Sequence, residues 1–109
     1  MKSLTNLINE PMTAFGVLGF AYHYVKPEST VAPYAVWQEN GDAGFNADNS
    51  KCERVLEGII DFYTLDENDA KLDLIEGALI GIGASWSLTA VQYENETNLI
   101  HYSWDWRIT

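Results

Sequence analysis

The stretch Leu99–Ile108, LIHYSWDWRI, alternates between apolar and polar side chains from Ile100 onward. Successive side chains of a β-strand point to opposite faces, so the alternation predicts a strand with one buried and one solvated face. The preceding segment Trp86–Tyr93 is also rich in strand-forming residues, and the polar run Glu94–Asn98 between the two predicts a hairpin loop. The chain is therefore expected to finish in an antiparallel pair of strands. The residues expected on the buried face of the last strand are Ile100, Tyr102, Trp104, Trp106 and Ile108.

A helix is predicted immediately upstream of this pair. Apolar residues recur there at spacings of three and four, which is the spacing of one helical face. Asp66 is expected to cap its start, and Gly81 and Gly83 are expected to end it. The acidic residues expected on its solvated side are Asp69, Asp73 and Glu76, and the stripe facing the sheet consists of Leu72, Ile75, Leu79 and Ile82.

Three further strands are predicted before this helix. Phe20–Val25 and Tyr34–Gln38 are short segments rich in strand formers, and Lys51–Leu65 is the longest strand candidate. Asn40-Gly41-Asp42 predicts a turn after the second of them. The more apolar face of the long strand consists of Leu56, Gly58, Ile60, Phe62 and Thr64.

The remaining segments are a first helix and a loop. Ser3–Phe15 has a capping residue at Ser3 and apolar residues at helical spacing, but Pro11 predicts that this helix is short or kinked there. The small and polar residues of Ala43–Ser50 predict an ordered loop with Phe45 pointing inward. The order is then α-β-β-β-α-β-β over one domain, residues 1–109. Such an order predicts an α+β fold, with a mainly antiparallel sheet of four to five strands and two helices on one face.

Composition narrows the classes of function. The 109 residues carry sixteen acidic and six basic side chains, which gives a net charge of −10. Free nucleic acid would be repelled, so a partner held mainly through its phosphates is not expected. The single cysteine, Cys52, excludes an internal disulfide framework, and no apolar run is long enough to span a membrane.

No catalytic, cofactor-binding or metal-binding residues are predicted. The histidines, His23 and His101, both lie inside strand patterns, and no nucleophile elbow or phosphate-binding loop is present. The acidic run that starts at Asp66 fails the ligand register of a calcium loop, because Lys71 and Gly77 occupy its sixth and twelfth positions. The prediction is that the chain is not an enzyme and needs no cofactor. A small enzyme that uses His23 or His101 is the alternative from that class.

The aromatic residues have two interpretations, and the acidic residues have three. A tryptophan in a small sheet either fills the core or serves an interface with another chain, and four of them are hard to bury together in 109 residues. The acidity either keeps the chain soluble, imitates DNA toward a nucleic-acid-binding enzyme, or lines a channel through which DNA slides without sticking.

Three segments resemble the small tail terminator, or tail-completion, proteins of long-tailed bacteriophages of Gram-positive hosts. These segments are PYAVWQENGDAGFNADN (Pro33–Asn49), IIDFYTLDENDAKLDLIEGAL (Ile59–Leu79) and ETNLIHYSWDWRI (Glu96–Ile108). The resemblance spans residues 30–108 and includes an Ala-Asp-Asn loop and a strand that ends in aromatic-Tyr-Thr. The matching positions are Pro33, Tyr34, Ala47, Asp48, Asn49, Asp61, Phe62, Tyr63 and Thr64.

The resemblance implies a structural protein of the virion tail or neck, made in the cytoplasm of the bacterial host. Such a protein forms a hexameric ring on the head-proximal end of the tail tube, stops tube polymerisation, and presents a surface to the head connector, while DNA passes without specific binding. A head-side joining protein of the same neck and an acidic inhibitor that mimics DNA are the alternatives. Under the leading hypothesis, the expected interface residues are Tyr34, Trp37, Phe45, Asp48, Asn49, Trp104 and Trp106, and the expected lumen-facing acids are Glu67 and Asp69.

Overall fold

The computed structural model describes residues 3–42 and 54–109, and its elements follow the predicted order. The helices are α1 (Leu4–Gly16) and α2 (Lys71–Gly81), and the strands are β1 (Ala21–His23), β2 (Tyr34–Asp42), β3 (Leu56–Thr64), β4 (Ser85–Glu94) and β5 (Leu99–Ile108). The α+β class is confirmed. The predicted loop at 43–50, with Phe45, Asp48 and Asn49, lies outside the described residues, as does the predicted start of the long strand at 51–53.

The five strands form one sheet in the order β1-β2-β3-β5-β4. β1 runs parallel to β2, and the other neighbouring pairs are antiparallel. β5 is therefore inserted between β3 and β4, which places β4 at one edge of the sheet and the three-residue β1 at the other.

The core lies between one face of this sheet and both helices. β3 alternates between buried and half-buried positions along its whole length, and the predicted apolar set is the buried one. β5 shows the same alternation from Tyr102 to Ile108. The helices complete the core with Leu7 and Phe15 from α1 and with Ile75 and Leu79 from α2. Both helices therefore pack on the same face, as the pattern predicted.

Three large rings fill the centre of the core. Phe15 lies 5.1 Å from Trp37 and 6.4 Å from Trp106, measured between ring centroids. Gly58 makes room for Trp106, its neighbour across the β3–β5 ladder. A Cβ at this position would lie 2.3 Å from Cζ2 of Trp106 and 2.3 Å from the backbone oxygen of Gln38. The missing side chain at Gly58 is thus what allows the indole of Trp106 to pack this close to the backbone of β3.

The structure decides two details of the helices. α1 begins as expected, with the Ser3 hydroxyl accepting the N–H of Asn6 at 3.1 Å, and of the two alternatives at Pro11, a short or a kinked helix, the short one is excluded because α1 continues to Gly16. The ring of Pro11 is buried in the face that packs on the sheet, and this packing holds the helix where a backbone donor is lost. In α2, Asp66 is not the capping residue. Asp69 accepts the N–H of Lys71 at 2.9 Å and so caps the first turn.

Two further predictions are corrected by the sheet. Asn40-Gly41-Asp42 is not a turn, because β2 continues through it and shifts register between Glu39 and Gly41. Glu76 is not on a solvated side of α2, since its carboxylate accepts the indole N–H of Trp104 at 2.9 Å. This hydrogen bond satisfies a polar group that the core would otherwise leave without a partner.

Candidate functional site

The described helices cover one face of the sheet, and the opposite face, called the open face below, carries the most concentrated polar chemistry of the described residues. The pairing registers set its side chains in rows that run across β2, β3, β5 and β4. These side chains are Tyr34, Val36 and Gln38; Glu57, Ile59, Asp61 and Tyr63; His101, Ser103, Asp105 and Arg107; and Ser85, Ser87, Ala90, Gln92 and Glu94.

An aromatic row crosses one end of the open face. Tyr34 stacks on Tyr63 with centroids 5.0 Å apart, and Tyr63 stacks on His101 at 4.4 Å. The ammonium of Lys26 lies 5.2 Å from the centre of the Tyr34 ring, within the range of a cation–π contact. The three rings are cross-strand neighbours, so the register of the sheet brings together residues that are far apart in the chain.

The phenols of this row titrate above their ordinary range. Burial raises the pKa of Tyr63 to about 12, with further contributions from Asp61, Tyr34 and Glu94. Burial likewise raises the pKa of Tyr34, and the Glu94 carboxylate adds to the effect. Both hydroxyls therefore stay protonated at neutral pH and keep their hydrogen-bond donors.

Asp61, His101 and Ser103 lie together on this face and contain the residue types of a hydrolytic triad. His101 Nε2 lies 2.9 Å from Asp61 Oδ1, and because a carboxylate only accepts, Nε2 carries the proton. The Ser103 hydroxyl also donates to Asp61, while its oxygen lies 3.4 Å from the same ring nitrogen. A triad needs an unprotonated nitrogen facing the serine and the carboxylate on the other ring nitrogen. Here Asp61 lies on the ring nitrogen that faces Ser103, and the Glu94 carboxylate is 3.9 Å from Nδ1, which is beyond hydrogen-bond distance. The contacts therefore differ from those of an activated serine.

The other end of the open face is polar. Arg107 Nε lies 3.2 Å from Glu57 Oε2 in an exposed ion pair. Beside it is a cavity of about 350 Å³ whose lining includes Asn40, Ser85 and Asp105. Within residues 3–42 and 54–109, no group of three or more His, Cys, Asp or Glu side chains is placed to hold a metal ion.

A second histidine cluster, which the sequence did not indicate, lies at the β1 edge. His23 is stacked between Tyr24, at 3.7 Å, and Trp37, at 4.0 Å. Its Nε2 donates to Glu39 at 2.8 Å, and Glu39 also accepts the hydroxyl of Tyr24. Every member has a partner inside the cluster, which is typical of a structural role.

The exposed apolar side chains on the described part of the chain include two groups. The first, called the helix groove, is an open cavity of about 420 Å³ between the outer sides of α1 and α2. The second, called the β4 ridge, consists of Leu88, Val91 and Tyr93. These side chains lie on the same side of the sheet as the core, but at its edge, and they are 46%, 55% and 60% exposed.

The predicted site residues fall into different environments. Trp37, Trp104 and Trp106 are at most 2% exposed, so they are core residues, and the interface roles expected for them are corrected. Tyr34 lies half-buried on the open face. Glu67 is exposed, whereas the Asp69 carboxylate is occupied by the α2 cap and by the Thr64 hydroxyl at 2.7 Å.

No protein-family model matches the chain, and no match was found among the curated proteins. Neither described helix has the length and apolar character needed to cross a membrane.

Proposed function

We propose that this chain is the subunit of a ring that closes the head-proximal end of a bacteriophage tail, where it stops growth of the tube and provides the surface for joining to the head. The proposal starts from the resemblance of Pro33–Asn49, Ile59–Leu79 and Glu96–Ile108 to tail terminator proteins. The fold supports the proposal because a single chain leaves apolar surface exposed to solvent.

The observation that carries the proposal is that α2 has large apolar side chains on both sides. Ile75 and Leu79 are buried against the sheet, whereas Leu74 and Ile80, on the outer side, are 52% and 65% exposed. The outer side of α2 also carries the exposed Asp73, so this helix is not apolar all round. Large exposed apolar side chains beside it are nevertheless candidates for cover by a second protein surface, since the sheet of the same chain covers only the inner side.

A ring requires more than one such surface. Each subunit of a closed ring meets its two neighbours through different patches, because the contact is head-to-tail. The helix groove and the β4 ridge are two separate bare patches with no residue in common. These two patches would give each subunit one surface for each of its two neighbours.

The open face suits the wall of a channel that DNA crosses. Its carboxylates come from Glu57, Asp61, Glu94 and Asp105, against the guanidinium of Arg107 and the ammonium of Lys26. A wall with this excess of negative charge repels the phosphate backbone and prevents adsorption. Glu67 remains a candidate for the lumen, while Asp69 supports α2.

The proposed function is tested by control of tube length. Tail-tube protein from the same genome would be polymerised with and without this chain, and tube ends and lengths would be measured by electron microscopy. We expect short tubes with a capped end, and a clear loss of capping in the Leu74→Ala variant but not in Asp73→Ala, which changes the neighbouring exposed residue of the same helix. Tubes of unchanged length with no bound chain would refute the proposal, and binding to the head connector alone would move the chain to the head side of the neck.

A further inference from the structure

The helix groove and the β4 ridge belong to one chain, yet the ridge does not fill the groove within that chain. We propose that the β4 ridge of one copy docks into the helix groove of the next copy. This inference rests on the proposed ring, and it names the two surfaces that meet at every contact between subunits.

The groove is built to receive apolar side chains. Its lining includes Ala14, Val17 and Leu18 from α1 and the turn after it, and Leu74, Ala78 and Ile82 from α2. Val17 is 80% exposed and Leu74 is 52% exposed, so a large part of this surface meets water in the single chain. Binding of a partner that removes this apolar surface from water lowers the free energy of the system.

The β4 ridge lies at the edge of the sheet, beyond the area that α1 and α2 cover. Leu88, Val91 and Tyr93 pair across the ladder with Trp104, Tyr102 and Ile100 of β5. Trp104 and Tyr102 are buried under the helices, whereas the ridge side chains beside them are about half exposed. The ridge therefore extends the core face of the sheet beyond what its own helices cover.

Cover of both surfaces favours a second copy as the occupant, and the distribution of charge permits it. Each chain carries a net charge of −10, so two copies repel each other unless they meet where charge is sparse. Among the described residues, Glu10 is the only charged member of the groove lining, and the ridge contains none. A separate partner on the groove would leave the ridge bare, whereas a second copy covers both surfaces with one type of contact.

The area of the ridge predicts a weak pairwise contact. An aromatic side chain buries 150–250 Å², and the exposed parts of the three ridge residues, 46%, 55% and 60% of their areas, add up to roughly 300 Å². A stable interface removes about 800 Å² from each partner. The ridge is thus the apolar centre of an interface and does not account for all of it. Closure of the ring, in which every subunit makes two contacts, strengthens the assembly beyond a single contact.

The alternative contact through β4 is an edge-to-edge pairing of two β4 strands, which would close as a dimer. The register of β4 shifts between Leu88 and Ala90, and such a bulge interrupts the regular edge that strand addition needs. The side chains of the ridge, and not the backbone edge, are therefore assigned to the contact.

Cysteine cross-linking distinguishes these arrangements. In a Cys52→Ser background, one cysteine would be placed on the ridge by Val91→Cys and one in the groove by Ala78→Cys, and a short bismaleimide would be added. A chain with both cysteines is expected to give a ladder of cross-linked oligomers. A mixture of the two single variants should give dimers only, and neither single variant should cross-link alone.

The matched control is Ser87→Cys combined with Ala78→Cys, because Ser87 is exposed on the same strand but on the open face. This pair should not cross-link. Thermal unfolding of each variant would show that the fold is retained. Cross-linking of Val91→Cys with itself would overturn the inference in favour of the edge-to-edge dimer.

The failure of this inference is distinguishable from the failure of the proposed function. Capped tubes or oligomers that form without a ridge-to-groove cross-link would overturn the inference alone. A chain that neither self-associates nor caps tubes would overturn both.

Discussion

Gly58→Ala tests the packing at the centre of the sheet. The added methyl group would lie 2.3 Å from the ring of Trp106 and 2.3 Å from the backbone oxygen of Gln38. One of these neighbours is the backbone of an adjacent strand and the other is an indole that is 1% exposed, so neither can move aside without disturbing the core.

The expected cost follows from these contacts. Overpacking a well-filled core usually costs about 1–3 kcal/mol, and two simultaneous clashes place Gly58→Ala near the upper end, at about 3 kcal/mol. For a domain of this size, 1 kcal/mol corresponds to a shift in Tm of about 4–8 °C. The variant should therefore melt more than about 10 °C below the wild type.

Gly77→Ala provides the matched control. Gly77 lies inside α2 with nothing within 4 Å of the position that its Cβ would take. Alanine is favoured over glycine in a helix by roughly 0.8–1.0 kcal/mol, so the same substitution should raise the stability here. Urea and thermal unfolding of both variants at one protein concentration would show whether the two substitutions change the stability in opposite directions. A Gly58→Ala variant as stable as the wild type would show that Trp106 does not lie against β3 as described.

Two further predictions concern the cap and the core. Asp69→Ala should lower the free energy of unfolding by about 1 kcal/mol at neutral pH, because it removes the acceptor for Thr64 and for the N–H of Lys71. Burial alone would raise the pKa of Asp69, but the hydrogen bonds from Thr64 and Lys71 and the Lys71 charge lower it below the ordinary value of 3.8. The ionised carboxylate of Asp69 therefore contributes its full stabilisation at pH values above the ordinary pKa, and this stabilisation is lost as the pH falls through the lower pKa of the folded protein. The difference between wild type and variant should shrink in acid, and a difference independent of pH in urea unfolding would contradict this role. Trp37→Ala should lower the free energy of unfolding by about 3–5 kcal/mol, whereas Val91→Ala, at an exposed position, should lower it by less than about 0.5 kcal/mol. Similarly small losses for both variants would show that Trp37 is not a core residue.

Local patterns in the sequence predict much of this fold, because burial along a single element follows its own periodicity. The alternation in β3 and β5 identifies their buried faces, and the Ser3 cap marks the start of α1. The weaker predictions are those at the ends of elements. At the start of α2, Asp66 and Asp69 are both capable caps, and the contact of Asp69 with Thr64 decides between them.

The candidate site is harder to predict, because it depends on register between distant strands. Trp106 fits inside the core because Gly58 on the next strand has no side chain, and nothing near Trp106 in the sequence shows this. Asp61 meets His101 and Ser103 across forty positions or more of the chain for the same reason. The outer side of α2 is predicted only as solvated and acidic, and the exposed Leu74 and Ile80 beside Asp73 are missed because they lie outside the apolar stripe.

The most direct test of the central claim, that bare apolar surfaces drive this chain into a ring, is its mass in solution by multi-angle light scattering. The range should run from roughly 10 µM to 1 mM, which covers weak protein contacts. We predict a weight-average mass that rises from the 12.3 kDa of one chain toward a plateau at the mass of a hexamer, and that stays near one chain for Leu74→Ala. A wild-type mass of one chain at every concentration would contradict the account.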